Sequence, residues 1–237
     1  MTGLRDIQTL YLFGAGGHGR ELAWLAREAL PHAEVEFVVD DERYAGRPVN
    51  GIPVRLITQL RVAPDAAFVA AVGDSSLRRR AASALTALGL RPAALVHPRV
   101  ERAPNVRVGD GAVVCAGSVL SDDVRIGMHA VVNIGCTVSH DVRIGDFATL
   151  SPAVHIAGNV TIEDGAFLGI GASVINGSPG RPLVIVSRNQ DHDLACRERH
   201  DDDVAVDVEA TARRLTDQPD PVHLTADLQV SDEVAGR

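Results

Sequence analysis

The sequence contains no lysine: all 23 of its basic residues are arginine, a usage that reflects the coding genome more than any function. Aromatic residues make up only 3% of the chain, so its core has to be built from Val, Ile, Leu and Ala. Three cysteines, Cys115, Cys136 and Cys196, are odd in number and lack CxxC spacing. That argues against a disulfide framework and against a zinc site, so no metal is expected and a reducing, cytoplasmic setting is the simplest expectation. No apolar run reaches ~18 residues, and no membrane insertion is expected. The N-terminal "MTGLRDIQTLYLFGAGG" likewise lacks the basic-then-apolar layout of a secretory signal. Positive charge is in deficit too. A net charge of −8 argues against nucleic acid or an anionic membrane surface as partner.

What is present is enough apolar material, 46% of 237 residues, for one large or two small folded units. Two different patterns divide the chain. Residues 1–95 alternate between strand and helix signals. "IQTLYLF" reads as a buried strand, "GAGGHG" as a tight turn, and the following segment as a helix with Leu22, Leu25 and Ala26 on one face. "EVEFVVDD" and "DAAFVAAVGD" read as further strands. "SSLRRRAASALTALGL" reads as a helix started by Ser75 or Ser76 and stopped at Gly89. Strands alternating with helices imply a small α/β unit with a parallel sheet.

In that unit Gly14, Gly16 and Gly19 form GxGxxG between a strand and a helix, and Asp40 ends the next strand. Such a turn lets backbone approach a phosphate at a helix N-terminus, with the acid on a ribose. Only about half of a dinucleotide fold is available here, which favours one nucleotide, as in a nucleotide-sugar, over NAD. A tight turn with no ligand remains the plain alternative. His18, inside the turn, either meets the phosphate or faces water.

The middle of the chain repeats every six residues. Val108, Val114, Leu120, Ile126, Val132, Val138, Ile144, Leu150, Ile156, Ile162, Leu168 and Val174 are all aliphatic. Two positions earlier the residues are small or β-branched throughout, from Val106 and Ala112 to Ala166 and Ala172. A period of six fits a parallel β-helix, in which each hexapeptide supplies one short strand and one corner. Alternate residues share a strand face, so both series point inward. By the same count Cys136 is a core residue, His155 is partly buried and His129 faces solvent.

At one corner the repeat places His140 directly before Asp141. Corners of a repeat expose polar residues anyway, so surface decoration is the plain reading. The chemical reading is a base with its orienting carboxylate, because an imidazole titrates near neutral pH and a neighbouring carboxylate fixes its tautomer.

"GAGGHGR" followed by hexapeptides that include "VNIGCTVSHDVRIG" and "AGNVTIEDGAFLGIGASVI" resembles the sugar acetyltransferases, among them the UDP-4-amino-sugar N-acetyltransferases and the sialic acid O-acetyltransferases. The resemblance covers about residues 8–177. It implies a left-handed β-helix over 96–177, a homotrimer, and acetyl-CoA held in the groove between subunits. It also implies an activity: acetyl transfer from acetyl-CoA to a sugar amine or hydroxyl during surface glycan synthesis. Carried over by position, the general base is His140, its orienting carboxylate Asp141, and a third catalytic residue Asn133. Gly158 and Ile170 would line the acetyl-CoA groove. Gly14, Gly16, Gly17, His18, Asp40, Asp41 and Gly73 would contact the nucleotide-sugar. Where the amino-sugar branch carries a second histidine, this chain has Thr149.

Two other readings compete with the enzyme, a non-catalytic nucleotide-sugar-binding scaffold and an NAD-binding module. The six-residue register ends where an aliphatic residue is required and Gly180 stands instead. Residues 178–237 form a divergent acidic tail. Between Arg188 and Arg237 it holds 13 acidic and 6 basic residues and no Phe, Tyr or Trp. Such a composition buries little apolar surface, so the tail is expected to be largely disordered, with weakened acetyl-CoA binding and low activity as the consequence.

Overall fold

The computed structural model of the chain describes residues 6–175 and, as backbone, the strands Leu183–Ser187 and Leu194–Glu198. The first part follows the alternation in the sequence: β1 (Thr9–Phe13), α1 (Gly17–Ala29), β2 (Glu34–Val39), β3 (Val54–Leu56), β4 (Ala66–Ala70), α2 (Ser75–Ala87) and β5 (Arg91–Pro92). Its five strands form one parallel sheet in the order β3-β2-β1-β4-β5. β3 and β5 span three and two residues, too short for a periodic signal.

Helix α1 buries Leu22, Leu25 and Ala26, as its pattern requires. Helix α2 stops at Gly89, whose φ of +91° suits glycine, but its start differs from expectation. The cap is Asp74, not Ser75 or Ser76: its carboxylate accepts from the Leu77 N–H at 2.7 Å. A short carboxylate there satisfies an otherwise orphaned helix donor.

From Leu95 the chain becomes a left-handed parallel β-helix. The first face carries Leu95–Val96, Val113–Val114, Val131–Val132, Thr149–Leu150 and Phe167–Leu168. The second runs from Glu101–Arg102 to Ser173–Val174, and the third from Arg107–Val108 to Val160–Ile162. Val113 pairs with Val131, so one coil takes 131 − 113 = 18 residues, or three hexapeptides.

Both inward series form one continuous core, from Ala112 and Val114 to Ala166 and Leu168. Its two polar exceptions find acceptors: Ser118 Oγ donates to the Asn133 carbonyl at 2.9 Å, and Cys136 Sγ to the Ser151 carbonyl at 3.3 Å. Cys136 is thus a core residue, and burial raises its pKa. Cys115 is buried as well, its pKa pushed up to about 12 by burial. Neither sulfur suits a nucleophile.

The first face packs against the α/β unit. Leu95, Val113, Cys115 and Val131 share one cluster with Leu22, Leu25 and Ala26. That packing overturns one expectation. His129 is buried, not solvent-facing, because the α/β unit covers its corner and its ring stacks between Phe68 and Phe147. His155 differs in the opposite sense. It is the outward member of a strand on the uncovered second face, so it is exposed and lies 2.8 Å from Thr137 Oγ1.

In the acidic tail, Leu183–Ser187 pairs in parallel with Val160–Ile162 and so extends the third face; Leu194–Glu198 returns antiparallel. The remainder, on which the expectation of disorder falls, lies outside the described residues. Among the described residues no helix is long and apolar enough to cross a membrane.

Candidate active site

His140 stands on the turn from the second face to the third. Corners of this β-helix place one residue in left-handed conformation, and here that residue is Asp141, with φ +58°. A short polar side chain tolerates that region better than most. Asp141 Oδ2 lies 2.8 Å from His140 Nδ1. A carboxylate can only accept, so Nδ1 carries the proton and Nε2 is left as the basic nitrogen. Both side chains are about half exposed, at 56% and 53%.

The corner is tied into the coils on either side. The Asp141 N–H donates to the Asp122 carbonyl at 3.0 Å, and the Asn159 N–H to the His140 carbonyl at 3.0 Å. Gly158, one coil on, faces the imidazole. A Cβ there would stand 2.5 Å from His140 Cε1 and 2.6 Å from Nε2. Glycine at 158 therefore leaves the ring its space.

Asn133 and Ile170 occupy a different edge, the turn from the first face to the second. Asn133 Oδ1 accepts from the Ile134 N–H at 2.8 Å, so within one chain this residue caps its own turn. Ile170 is 80% exposed there, and Ile134, on the same edge, is 41% exposed. A single chain does not bring either residue to His140.

The glycine turn lies where the loops after β1 and β4 diverge at the carboxyl ends of adjacent strands. In an open parallel sheet this switch point forms the ligand crevice. Two of its glycines are required by the backbone. Gly14 has φ +112°, and a Cβ on Gly19 would stand 1.9 Å from the Gly14 carbonyl oxygen. Gly16 and Gly73 instead face open space. Gly16 caps α1 without a side-chain bond, and the first turn, begun by Gly17, has no acidic residue, so its N–H groups suit an anion.

His18 Nε2 is buried in this region without a protein partner, and Nδ1 lies 3.7 Å from Glu21 Oε2. Burial lowers the His18 pKa and favours the neutral ring; the Glu21 carboxylate opposes that shift and the Arg78 charge adds a smaller push in its favour. Asp40 is exposed at the end of β2. Asp41 caps the turn Glu42–Tyr44 and bonds Arg43, which holds its carboxyl below the usual range.

One residue escaped the sequence reading. Arg78 sits in "SSLRRRAA", which looks like a solvated basic stripe, yet it is only 1% exposed. The signal was its spacing: it precedes the buried Ala81, Ala82 and Leu85 by three, four and seven residues, on one helix face.

Comparison with known proteins agrees with this architecture. The profile of the PglD N-terminal domain matches residues 9–85. A GDP-perosamine N-acetyltransferase from Escherichia coli O157:H7 is 31% identical over 179 residues, 73% of this chain and 81% of the relative. A structure of the GDP-perosamine N-acetyltransferase from Caulobacter crescentus, a histidine-to-alanine mutant in complex with CoA and GDP-perosamine, is 32% identical. Its TM-score is 0.65, with 70% of this chain and 80% of that one covered. WeeI from Acinetobacter baumannii AYE is 30% identical with a TM-score of 0.70, covering 74% and 84%. The chain belongs to the sugar acetyltransferase family, whose glycine turn and hexapeptide corners its sequence carries.

Proposed function

We propose that this chain transfers the acetyl group of acetyl-CoA to an amine on a nucleoside-diphosphate-linked sugar, with His140 as general base. The observation that carries the proposal is the His140 corner: Nδ1 is tied to Asp141, Nε2 is the basic nitrogen, and Gly158 leaves the ring room. The sugar amine attacks the thioester carbonyl and gives up a proton to Nε2. Collapse of the tetrahedral adduct breaks the C–S bond, and the departing CoA sulfur recovers a proton. Holding the acceptor and thioester together supplies much of the rate. The Caulobacter relative, with a histidine replaced by alanine, holds CoA and GDP-perosamine, which supports both a histidine role and a nucleotide-linked amine as acceptor.

The crevice at Gly16, Gly17 and Gly73, with His18, Asp40 and Asp41 around it, is the place for the nucleotide. The acetyl-CoA site calls for more than one chain. His140 and Gly158 lie on one edge of the second face; Asn133 and Ile170 lie on the other. A threefold arrangement about that face brings one edge of each copy against the opposite edge of the next. Exposed Val119 on that face and Ile134 and Ile170 on its edge favour such a homotrimer, since association would bury them. CoA thioesters and nucleotide-sugars are cytoplasmic metabolites, so the reaction belongs in the cytoplasm.

The test is a panel of GDP-, UDP- and dTDP-linked amino sugars and their hydroxy counterparts, with acetyl-CoA and a free-thiol readout. Thiol release with an amino sugar, giving a product stable to hydroxylamine, is expected. Reaction only with the hydroxy sugars, or with none, would overturn the proposal. Light scattering that shows a folded monomer at micromolar concentration would remove the groove between copies.

A further inference from the structure

Arg78 is a buried cation at a core position of α2, and its five N–H groups all find acceptors. Nη1 donates to the carbonyls of Val72 and Gly73 at 2.9 and 2.8 Å. Nε donates to the His129 carbonyl at 3.0 Å, and Nη2 to the Phe147 carbonyl and Thr149 Oγ1 at 2.6 and 2.8 Å. A longer contact at 3.4 Å reaches the Ala148 carbonyl.

These acceptors belong to two separate parts of the molecule. Val72 and Gly73 form the loop after β4, on one side of the nucleotide crevice. His129 and Phe147 lie on successive corners between the third and first faces, and Thr149 begins the next strand. No carboxylate appears among the acceptors; Asp74, the acid nearest in sequence, caps α2 instead. Burying a cation against uncharged acceptors is costly, with only the nearby Asp74 charge to offset it, and well-packed apolar residues would join two surfaces at least as well. The charge also acts beyond its own contacts, since it helps lower the His18 pKa inside the crevice. Burial lowers the Arg78 pKa to about 10, which leaves it protonated at neutral pH.

We propose that Arg78 is a positioning residue for the nucleotide-sugar: it clamps the Gly73 loop to the β-helix and sets a fixed positive charge beside the crevice that receives the diphosphate. The planar fork explains why arginine is used, since lysine has neither five donors nor their fixed directions. Thr149 takes part as an acceptor of that fork. This inference rests on the nucleotide-sugar reading proposed above.

The experiment uses the full chain and GDP-perosamine, or whichever panel member is turned over fastest. Arg78→Met, Arg78→Lys and Thr149→Val are compared with wild type for kcat and for each substrate's KM. The single tryptophan, Trp24 on α1, lies 5.4 Å from His97 at the start of the β-helix, so its emission reports docking of the two parts. Arg78→Met is expected to raise the nucleotide-sugar KM about tenfold or more, while the acetyl-CoA KM and kcat move less than about twofold. Arg78→Lys, which keeps the charge without the fork, should recover part of the loss, and Thr149→Val should show the same split more weakly.

An unchanged nucleotide-sugar KM with a lowered melting midpoint and altered Trp24 emission would make Arg78 merely structural and overturn the inference. So would a fall in kcat alone. If Arg78→Met does not fold, Arg78→Lys and Thr149→Val are read against the same two outcomes. A wild-type chain that turns over no nucleotide-sugar would instead sink the proposed function, and this inference with it.

Discussion

The α/β unit and the β-helix each contain glycines that the fold requires and glycines that leave space, but they divide the labour differently. In the α/β unit, Gly14 and Gly19 let helix and strand approach, while Gly16 and Gly73 leave the crevice open. In the β-helix, Gly109, Gly127 and Gly145 are confined by the backbone of the next coil, whereas Gly158 is confined by the ring of His140 and Gly111 by the buried ring of His129. The polar groups divide too. The β-helix keeps its charges on faces and corners around an aliphatic core. The α/β unit buries Arg78 and uses it to grip the β-helix. A repeat holds chemistry rigidly at its surface, where coil-to-coil hydrogen bonds fix each corner. An α/β sheet holds it at a switch point, where loops diverge and need bracing.

The largest effect should come from the corner. His140→Ala is expected to lower turnover by about 10²–10⁴-fold, the usual contribution of a general base. The melting midpoint should barely move, because the side chain is about half exposed. Unchanged turnover would place the base elsewhere. Asp141→Asn should cost less, since the imidazole remains, and the same assay reads it.

Gly158→Ala tests whether that corner needs its space. The added methyl would fall 2.5 Å from the imidazole, so the ring must shift. A displacement of this order should reduce turnover roughly 10²-fold. Little change in kcat would show that the ring does not need its present place.

The α/β glycines can be separated by two further substitutions. Gly19→Ala forces a methyl against the Gly14 carbonyl and should destabilise the fold by at least ~1–3 kcal/mol, read by denaturant melting. Gly16→Ala meets nothing within 4 Å, so the fold should stay intact while the nucleotide-sugar KM rises. Equal stability losses in the two variants would erase the distinction between them.

The smallest effect concerns acid. His18, His97 and His129 all have pKa values lowered from 6.5, in each case chiefly by burial. Unfolded, they would take up protons at a higher pH than the native chain does, so stability is full above about pH 6.5 and is lost as the pH falls below it. His129→Asn, which keeps a residue tolerant of left-handed backbone, should flatten the fall of melting midpoint between about pH 7 and 5.5. An unchanged slope would clear His129 of this role.

How much of this was legible in the residues differs between the two parts. The β-helix was almost wholly legible, because a coil closes on itself after 18 residues and each rung meets the same rung of its neighbours. Such periodicity survives in one dimension, so Val114, Leu120 and Cys136 could be placed inside without coordinates. The His140–Asp141 pair was legible for the same reason, being adjacent in sequence at a known corner. His129 and His155 were not. Both lie on the β-helix surface by register, and only the docking of the α/β unit on the first face decides that one is buried and the other exposed.

The sequence by itself determined the six-residue register, the strand–glycine–helix turn and the placing of a base beside its carboxylate, since each rests on residues close along the chain. Only the tertiary structure decided that Gly158 faces the imidazole, that Asn133 and Ile170 sit on another edge, and that Arg78 joins residues 72 and 149. Those facts depend on which surfaces pack together across the chain. Packing is set by the sum of many weak long-range contacts, which no local pattern records.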